Sequence, residues 1–172
     1  GRPDLSAILI TPGRFEAIRK TLEHVRHQNV RDRIEVVIVA PSEAGLELES
    51  AALEGFWGWQ VVEVGEIDNL GPAEAAGVVR ARGDAVVYVE EHSFPAAGWA
   101  EALASWRALT RAAYRPQVNA IAVANGVTGL PPTMAHAESS SVNAWVCQGV
   151  NCLPPIGTTA ELAGVLADGG NG

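Results

Sequence analysis

The chain opens on a mostly apolar run of strand length, Leu5 to Thr11 (LSAILIT), broken by Pro12-Gly13. Phe15, Ile18, Leu22 and Val25 then recur at helical spacing, with Arg19, Lys20, Glu23 and Arg26 between them. That alternation predicts an amphipathic helix ending near Gln28. Ile34 to Ala40 (IEVVIVA) is nearly continuous in apolar and β-branched residues, the pattern of a parallel strand covered on both faces. Pro41-Ser42-Glu43 ends it. Residues 43 to 55 read as a short helix or loop, and Trp59 to Val64 as a third strand. Asp68-Asn69-Leu70-Gly71 forms a turn. Pro72 suits the first position of a helix and Gly83 its stop. Ala85 to Val89 makes a fourth strand, followed directly by the polar cluster Glu90-Glu91-His92-Ser93.

Beyond this cluster, Pro95 to Ala113 predicts a helix with Trp99, Leu103 and Trp106 on one face, and Asn119 to Ala124 a fifth strand. Gly126 to His136 is a Gly/Pro loop. Ser139 is placed as the cap of a short helix carrying Val142, Trp145 and Val146. Thr158 and Glu161, three apart, form a capping-box pattern ahead of Leu162, Val165 and Leu166. Strands alternating with helices predict an α/β fold, a three-layer sandwich on a mainly parallel central sheet. No internal repeat or low-complexity linker divides residues 1 to 172, so a single domain is expected.

Composition narrows the function classes. The 172 residues carry 12 Lys and Arg against 20 Asp and Glu, a net charge of -8, which argues against a broad grip on nucleic acid or anionic lipid. At 48% hydrophobic and 19% charged residues the chain is globular, not disordered. No apolar run approaches the roughly 20 residues of a membrane span. Cys147 and Cys152 lack the second pair that a structural zinc site needs, so they read as two reduced thiols. The resulting expectation is a cytoplasmic protein, with peripheral contact to a membrane left open. A start at Gly1 without Met fits a fragment or a processed chain.

In open parallel sheets, ligands bind beyond the carboxyl ends of the strands. The loops that matter are therefore Thr11 to Arg14, Pro41 to Glu43, Asp68 to Gly71 and Glu90 to His92. Gly13 and Gly71 allow close backbone approach, and Gly13 precedes a helix N-terminus, a natural anion site. Neither a P-loop nor a dinucleotide fingerprint is present.

Four segments carry a resemblance: LSAILITPGRFEAIRKTLEHV, EVVIVAPS, NLGPAEAAG and RARGDAVVYVEEHSFPAAGWAEAL. In this order and spacing, over about residues 4 to 104, the chain resembles a family 2 glycosyltransferase of the Rossmann-like GT-A fold, the nucleotide-diphospho-sugar transferase architecture. The resemblance implies a nucleotide-sugar-binding half over 4 to 104 and a partial or atypical acceptor half over 105 to 172. It implies transfer of a sugar from a UDP- or GDP-type donor, with inversion, to an acceptor that no motif specifies. Oligomeric state is likewise not encoded.

The departures from the family pattern fall on the site. The family's Asp-x-Asp at the end of the fourth strand is replaced by Glu90 and His92, with Glu91 between them. Carboxylate and imidazole both suit Mn²⁺, whereas Mg²⁺ prefers oxygen ligands, so a divalent metal held by Glu90 and His92 is expected to be Mn²⁺ rather than Mg²⁺. The competing reading is an exposed acidic turn with no ligand. Ala40 and Pro41 stand where the family has a nucleotide-contacting carboxylate, leaving Ser42 or Glu43 to substitute. Pro12-Gly13 replaces the family's Tyr-Asn, with Thr11 and Arg14 retained. Arg14 either faces a phosphate or is a solvated first-turn residue. Asn69 and Gly71 match the loop before the third helix, and Asp68 either touches the nucleobase or caps the turn.

An inverting transfer needs a general base near the acceptor hydroxyl. After Glu101 the carboxylates are Glu138, Glu161 and Asp168. Glu161 reads as a cap and Asp168 adjoins a glycine tail, which leaves Glu138 as the catalytic candidate unless the base lies outside this chain. The competing interpretation of the whole is an inactive or shortened GT-A-like domain that binds a nucleotide sugar or a protein partner. Trp57, Trp59 and Trp145 are expected in the core rather than stacked on a sugar or base.

Overall fold

A computed structural model describes residues 1–112, 142–148 and 151–168. The chain divides into two compact units, Gly1–Ala104 and Ser105–Gly172.

The first unit is built on four parallel strands, β1 (Leu5–Ile10), β2 (Ile34–Ala40), β3 (Gly58–Glu63) and β4 (Ala85–Tyr88), in the order β3-β2-β1-β4. The register pairs Leu5 with Ile34 and Ala85, and Val36 with Trp59. Helices cover both faces, as the uninterrupted apolar runs require. Because side chains alternate across a strand, Leu5, Ala7 and Leu9 with Val36, Ile38 and Ala40 line one face. There they meet Phe15, Ile18, Leu22 and Val25 of α1 (Phe15–Arg26). Ile8, Val37, Val39 and Val62 line the other face and meet Ala73 of α3 (Leu70–Arg80). Each fully buried Leu, Ile or Phe contributes about 1.5–3 kcal/mol, so this double-sided burial fixes the sheet. The three-layer parallel α/β sandwich expected from the sequence is the observed architecture.

Two glycines permit close packing. A Cβ on Gly77 would come within 2.8 Å of Ile8 Cγ2, so only glycine lets α3 lie this close to the sheet. A Cβ on Gly83 would sit 2.5 Å from the Ser6 amide nitrogen, which is backbone and does not yield. Gly83 thus serves the turn into β4, while α3 itself stops at Arg80.

Between β2 and β3 the short helix or loop resolves into α2 (Glu43–Leu46) and a 3-10 turn, Ser50–Leu53. The helix predicted from Pro95 begins four residues later, as α4 (Trp99–Arg111). Gly98, at φ +82°, redirects the chain just before it. Trp99, Ala100 and Leu103 pack into the α1-side core.

In the second unit Ile156, Leu162 and Leu166 form a small core with Trp106, Leu109, Ala144, Val146 and Val165. Thr158 caps α5 (Thr159–Asp168): its hydroxyl accepts from the Glu161 amide at 3.2 Å, and Glu161 Oε2 accepts from the Thr158 amide at 3.2 Å. The capping box is as the sequence implies.

Two expectations fail here. Val142, Trp145 and Val146 are not helical. Ala144 and Ile156 exchange backbone hydrogen bonds of 3.0 and 2.9 Å, and the chain runs on into a hairpin of β5 (Cys147–Gln148) and β6 (Asn151–Cys152). Cys147 and Cys152 are also not free thiols. As directly opposed partners in that antiparallel ladder they form a disulfide. A C-x4-C spacing folded as a hairpin is a cross-strand pair, which composition alone does not reveal. The pairing removes the reduced thiols on which the cytoplasmic expectation leaned, since disulfides persist in oxidising compartments. Among the described residues no helix is long and apolar enough to cross a membrane. The predicted strand 119–124, the loop 126–136 and Ser139 lie outside the described residues.

Candidate functional site

Strands β1, β2 and β3 step outward in one direction, and the chain then returns to lay β4 against the other edge of β1. The direction of winding therefore reverses between β1 and β4. In open α/β sheets the crevice beyond the carboxyl ends at such a switch point is where ligands bind. Here it is flanked by the loop after β1, Thr11 to Arg14, and the loop after β4, Glu90 to His92.

The β4 loop is a tight turn. Val89 still donates to Ile8 O at 2.9 Å, and the Ser93 amide then closes on Glu90 O at 2.9 Å. Glu91 and His92 occupy its two central positions. Glu90, Glu91 and His92 are all exposed, and His92 Nε2 lies 2.9 Å from Glu90 Oε2. The carboxylate and imidazole singled out from the sequence are thus the pair that the turn brings together. Among the described residues no group of three or more His, Cys, Asp or Glu side chains is placed to hold a metal ion.

Helix α1 touches this loop, and α3 touches the end of the strand that leads into it. On one side, Thr21 of α1 donates its hydroxyl to Glu91 O at 2.6 Å and reaches Glu90 O at 3.3 Å. Two residues past the end of α1, Gln28 donates to Ala96 O at 2.9 Å, and its Oε1 accepts from the Ala100 amide at 3.1 Å. Gln28 thereby satisfies a first-turn amide of α4 from outside the helix. Between these contacts Phe94 lies 4.4 Å beneath Lys20 Nζ and 5.1 Å from the His24 ring. On the other side, Tyr88 at the end of β4 donates its hydroxyl to Glu74 O of α3 at 3.3 Å. Burial and the nearby Glu74 push the Tyr88 phenol upward.

The remaining candidates order their own loops. Thr11 is fully buried, and its hydroxyl accepts from the Gly13 amide at 3.2 Å. Arg14 precedes α1 without capping it by its side chain and pairs with Glu47 at 3.1 Å. Ser42 caps α2, accepting from Gly45 N at 3.0 Å. Asn69 caps α3, accepting from Gly71 N at 2.9 Å. The cap is therefore Asn69 and not Asp68, which is exposed beside it. Thr11 and Ser42 use their oxygens as acceptors and keep the hydroxyl proton, and Asn69 keeps its amide hydrogens. Glu138 and His136 lie outside the described residues.

Trp57, just before the edge strand β3, and Trp59, on it, are 38% and 41% exposed, not core residues as expected. A shallow groove of about 310 Å³, lined by Glu43, Gln60, Val61, Val62, Glu63 and Arg80, runs along the same edge, away from the switch point.

Sequence reading passed over Thr21 and Gln28. The available signal was two polar residues seven apart, one within α1 beside Leu22 and one just past its end, both of which prove buried.

No family model matches the chain, and no curated protein matches it. Among solved structures the chain is similar to a mannosyltransferase from Pyrobaculum calidifontis in complex with GDP-Man and Mn²⁺, at 23% identity and a TM-score of 0.46. The similarity covers 60% of this chain and 32% of that one, so this chain spans less than half the length of that structure.

Proposed function

We propose that the crevice between β1 and β4 binds a nucleotide-diphospho-sugar and that the chain serves a glycosyltransferase of the family 2 type. The observation that carries this reading is the Glu90–His92 pair, held 2.9 Å apart at the switch point in the segment where the resemblance has its diphosphate motif. The start of α1, with no side chain capping it from Arg14, opens at the carboxyl end of the adjacent strand and suits a phosphate. Ser42 and Asn69 offer free donors to ribose or phosphate oxygens, with Asp68 and Gly71 beside them. Thr11 shapes the loop from beneath, and Arg14 adds positive charge at its rim.

Glu90 and His92 are chemically suited to Mn²⁺, with Glu91 adding negative charge beside them. Such a cation, when bound, neutralises the diphosphate leaving group. The described residues supply two ligands, so donor phosphate oxygens would complete the coordination. Transfer with inversion would proceed by direct displacement, with Glu138 as the proposed general base.

The replacement of the Asp-x-Asp pattern by Glu90 and His92 favours one second reading: a domain that binds the nucleotide sugar, or a protein partner, without transfer. Calorimetric titration with UDP and GDP, each with and without Mn²⁺, tests the proposal. Binding that requires Mn²⁺ and is lost in Glu90→Ala is expected. No binding of either nucleotide by a folded sample would overturn it.

A further inference from the structure

The loop that carries Glu90 and His92 does not stand alone; one edge of α1 grips it along its length. Thr21 lies within α1 and Gln28 two residues beyond its end, seven apart in sequence, and both face the same segment. Both are buried polar residues in an otherwise apolar arc, and both spend their side chains on the segment from Glu90 to Ala100. Lys20 and His24, between them, bracket Phe94.

We propose that Thr21 is the positioning residue of the candidate site, fixing the orientation of the Glu90–His92 turn; the assignment rests on the donor-site reading for its purpose but not for its geometry. The argument follows from the peptide unit. Thr21 pulls the Glu91 carbonyl toward α1, and in a trans peptide the His92 N–H then points the opposite way, out of the helix. The same hydroxyl reaches the Glu90 carbonyl, which also closes the turn onto Ser93. Two consecutive peptide planes are thereby oriented by one buried hydroxyl. A two-residue ligand pair on a solvent-exposed turn pays its ordering entropy on each binding event unless something holds the turn beforehand. Thr21 supplies that hold from a rigid helix, and it touches neither ligand side chain.

The test compares Thr21→Val, which keeps the shape and removes the hydroxyl, with Thr21→Ser, which keeps the hydroxyl, and with Val25→Ala. Val25 is a core residue of the same helix and serves as the destabilised control. Amide exchange at Ser93 is the first readout, and Mn²⁺-dependent binding of UDP and GDP the second. Thr21→Val is expected to speed Ser93 exchange about tenfold and to weaken nucleotide binding by a similar factor. Thr21→Ser should restore both, while Val25→Ala lowers the melting temperature without moving either. If Thr21→Val does not fold, Thr21→Ala is read in its place. Ser93 exchange no faster in Thr21→Val or Thr21→Ala than in Val25→Ala overturns the inference. Because exchange needs no nucleotide, a wild-type chain that binds neither UDP nor GDP would sink the donor reading and leave this assignment to be decided by Ser93 alone.

Discussion

Ser6 donates its hydroxyl to Glu35 Oε2 at 2.6 Å across the two central strands, which are otherwise built from aliphatic residues. Glu35 is 1% exposed. Its carboxylate also accepts from Gln60 Nε2 at 2.9 Å and from the Arg82 amide at 2.8 Å, and the Gly83 amide donates to Ser6 Oγ at 2.8 Å. The network lies at the start of the strands, opposite the candidate site, and fastens the turn between α3 and β4. A buried carboxylate with three donors is stable only while all three remain. Glu35→Ala is therefore expected to cost about 3 kcal/mol, because it strands the Ser6 hydroxyl and the Arg82 amide and leaves Gln60 only its bond to Arg80 O. Ser6→Ala should cost about 1–2 kcal/mol, and the double variant less than the sum. Urea denaturation of the four proteins measures this, and strict additivity would show that the two residues act independently.

This network also shows what the sequence could not express. Glu35 stands second in a run of seven that reads as a doubly buried strand, and the sequence contains no mark that distinguishes a satisfied internal carboxylate from a misplaced one. The strands, α1 and the capping box of α5 were legible because each depends on local periodicity or on residues three apart. Glu90 and His92 could be singled out for the same reason, as neighbours on one turn; their contact with each other was not foreseen. Thr21, Gln28 and the Cys147–Cys152 bridge were not, since each depends on what a distant or folded-back segment places opposite it. Trp57 and Trp59 were misread because they lie at the start of an edge strand, where each stays more than a third exposed.

A pH-dependent contact joins α1 to the segment after β2. Arg19 pairs with Glu49 and with Glu16. Hydrogen bonding to Arg19 holds the Glu49 carboxyl below its ordinary value, and the two carboxylates raise Arg19 above its own. A carboxyl depressed in the folded state stabilises that state above its unfolded pKa, and the contribution is lost as pH falls through the folded value. The pair is exposed, so the effect is small and salt-sensitive. A carboxyl-detected NMR titration should place the Glu49 midpoint below the usual glutamate range and return it there in Arg19→Gln. An unchanged midpoint in that variant would assign the shift to something other than Arg19.

The hairpin of the second unit should contain no free thiol. Cys147 and Cys152 face each other in register and are both exposed, so reductants have access. Closing so short a loop restricts the unfolded chain by about 2 kcal/mol in the chain-entropy model. Thiol titration of the denatured, unreduced chain is expected to give no reactive group, and titration after reduction to give both. Cys152→Ser should destabilise the second unit by a similar amount to reduction, while leaving Ser93 exchange in the first unit unaltered. Two reactive thiols in chain purified without reductant would show that the bridge does not form.

Metal and nucleotide should bind as a coupled pair. The described residues bring one carboxylate and one imidazole together at the switch point, both solvent-exposed, with no third ligating side chain beside them. Two exposed ligands leave most of a divalent cation's coordination to water, so Mn²⁺ alone should bind weakly. A diphosphate contributes further oxygens and negative charge at the same place, as in sites that hold Mg²⁺ through one or two carboxylates and substrate phosphates. Saturating UDP or GDP should then tighten Mn²⁺ binding by about tenfold or more, and by linkage Mn²⁺ should tighten the nucleotide by the same factor. Glu90→Gln and His92→Ala are each expected to remove this coupling without lowering the melting temperature, since neither side chain is buried. Glu91→Gln, which alters charge but not the pair, should reduce the coupling only modestly. Mn²⁺ affinity can be followed through its paramagnetic relaxation of water, with and without each nucleotide. Equal affinity in both conditions would mean that Glu90 and His92 form an exposed surface contact and nothing more.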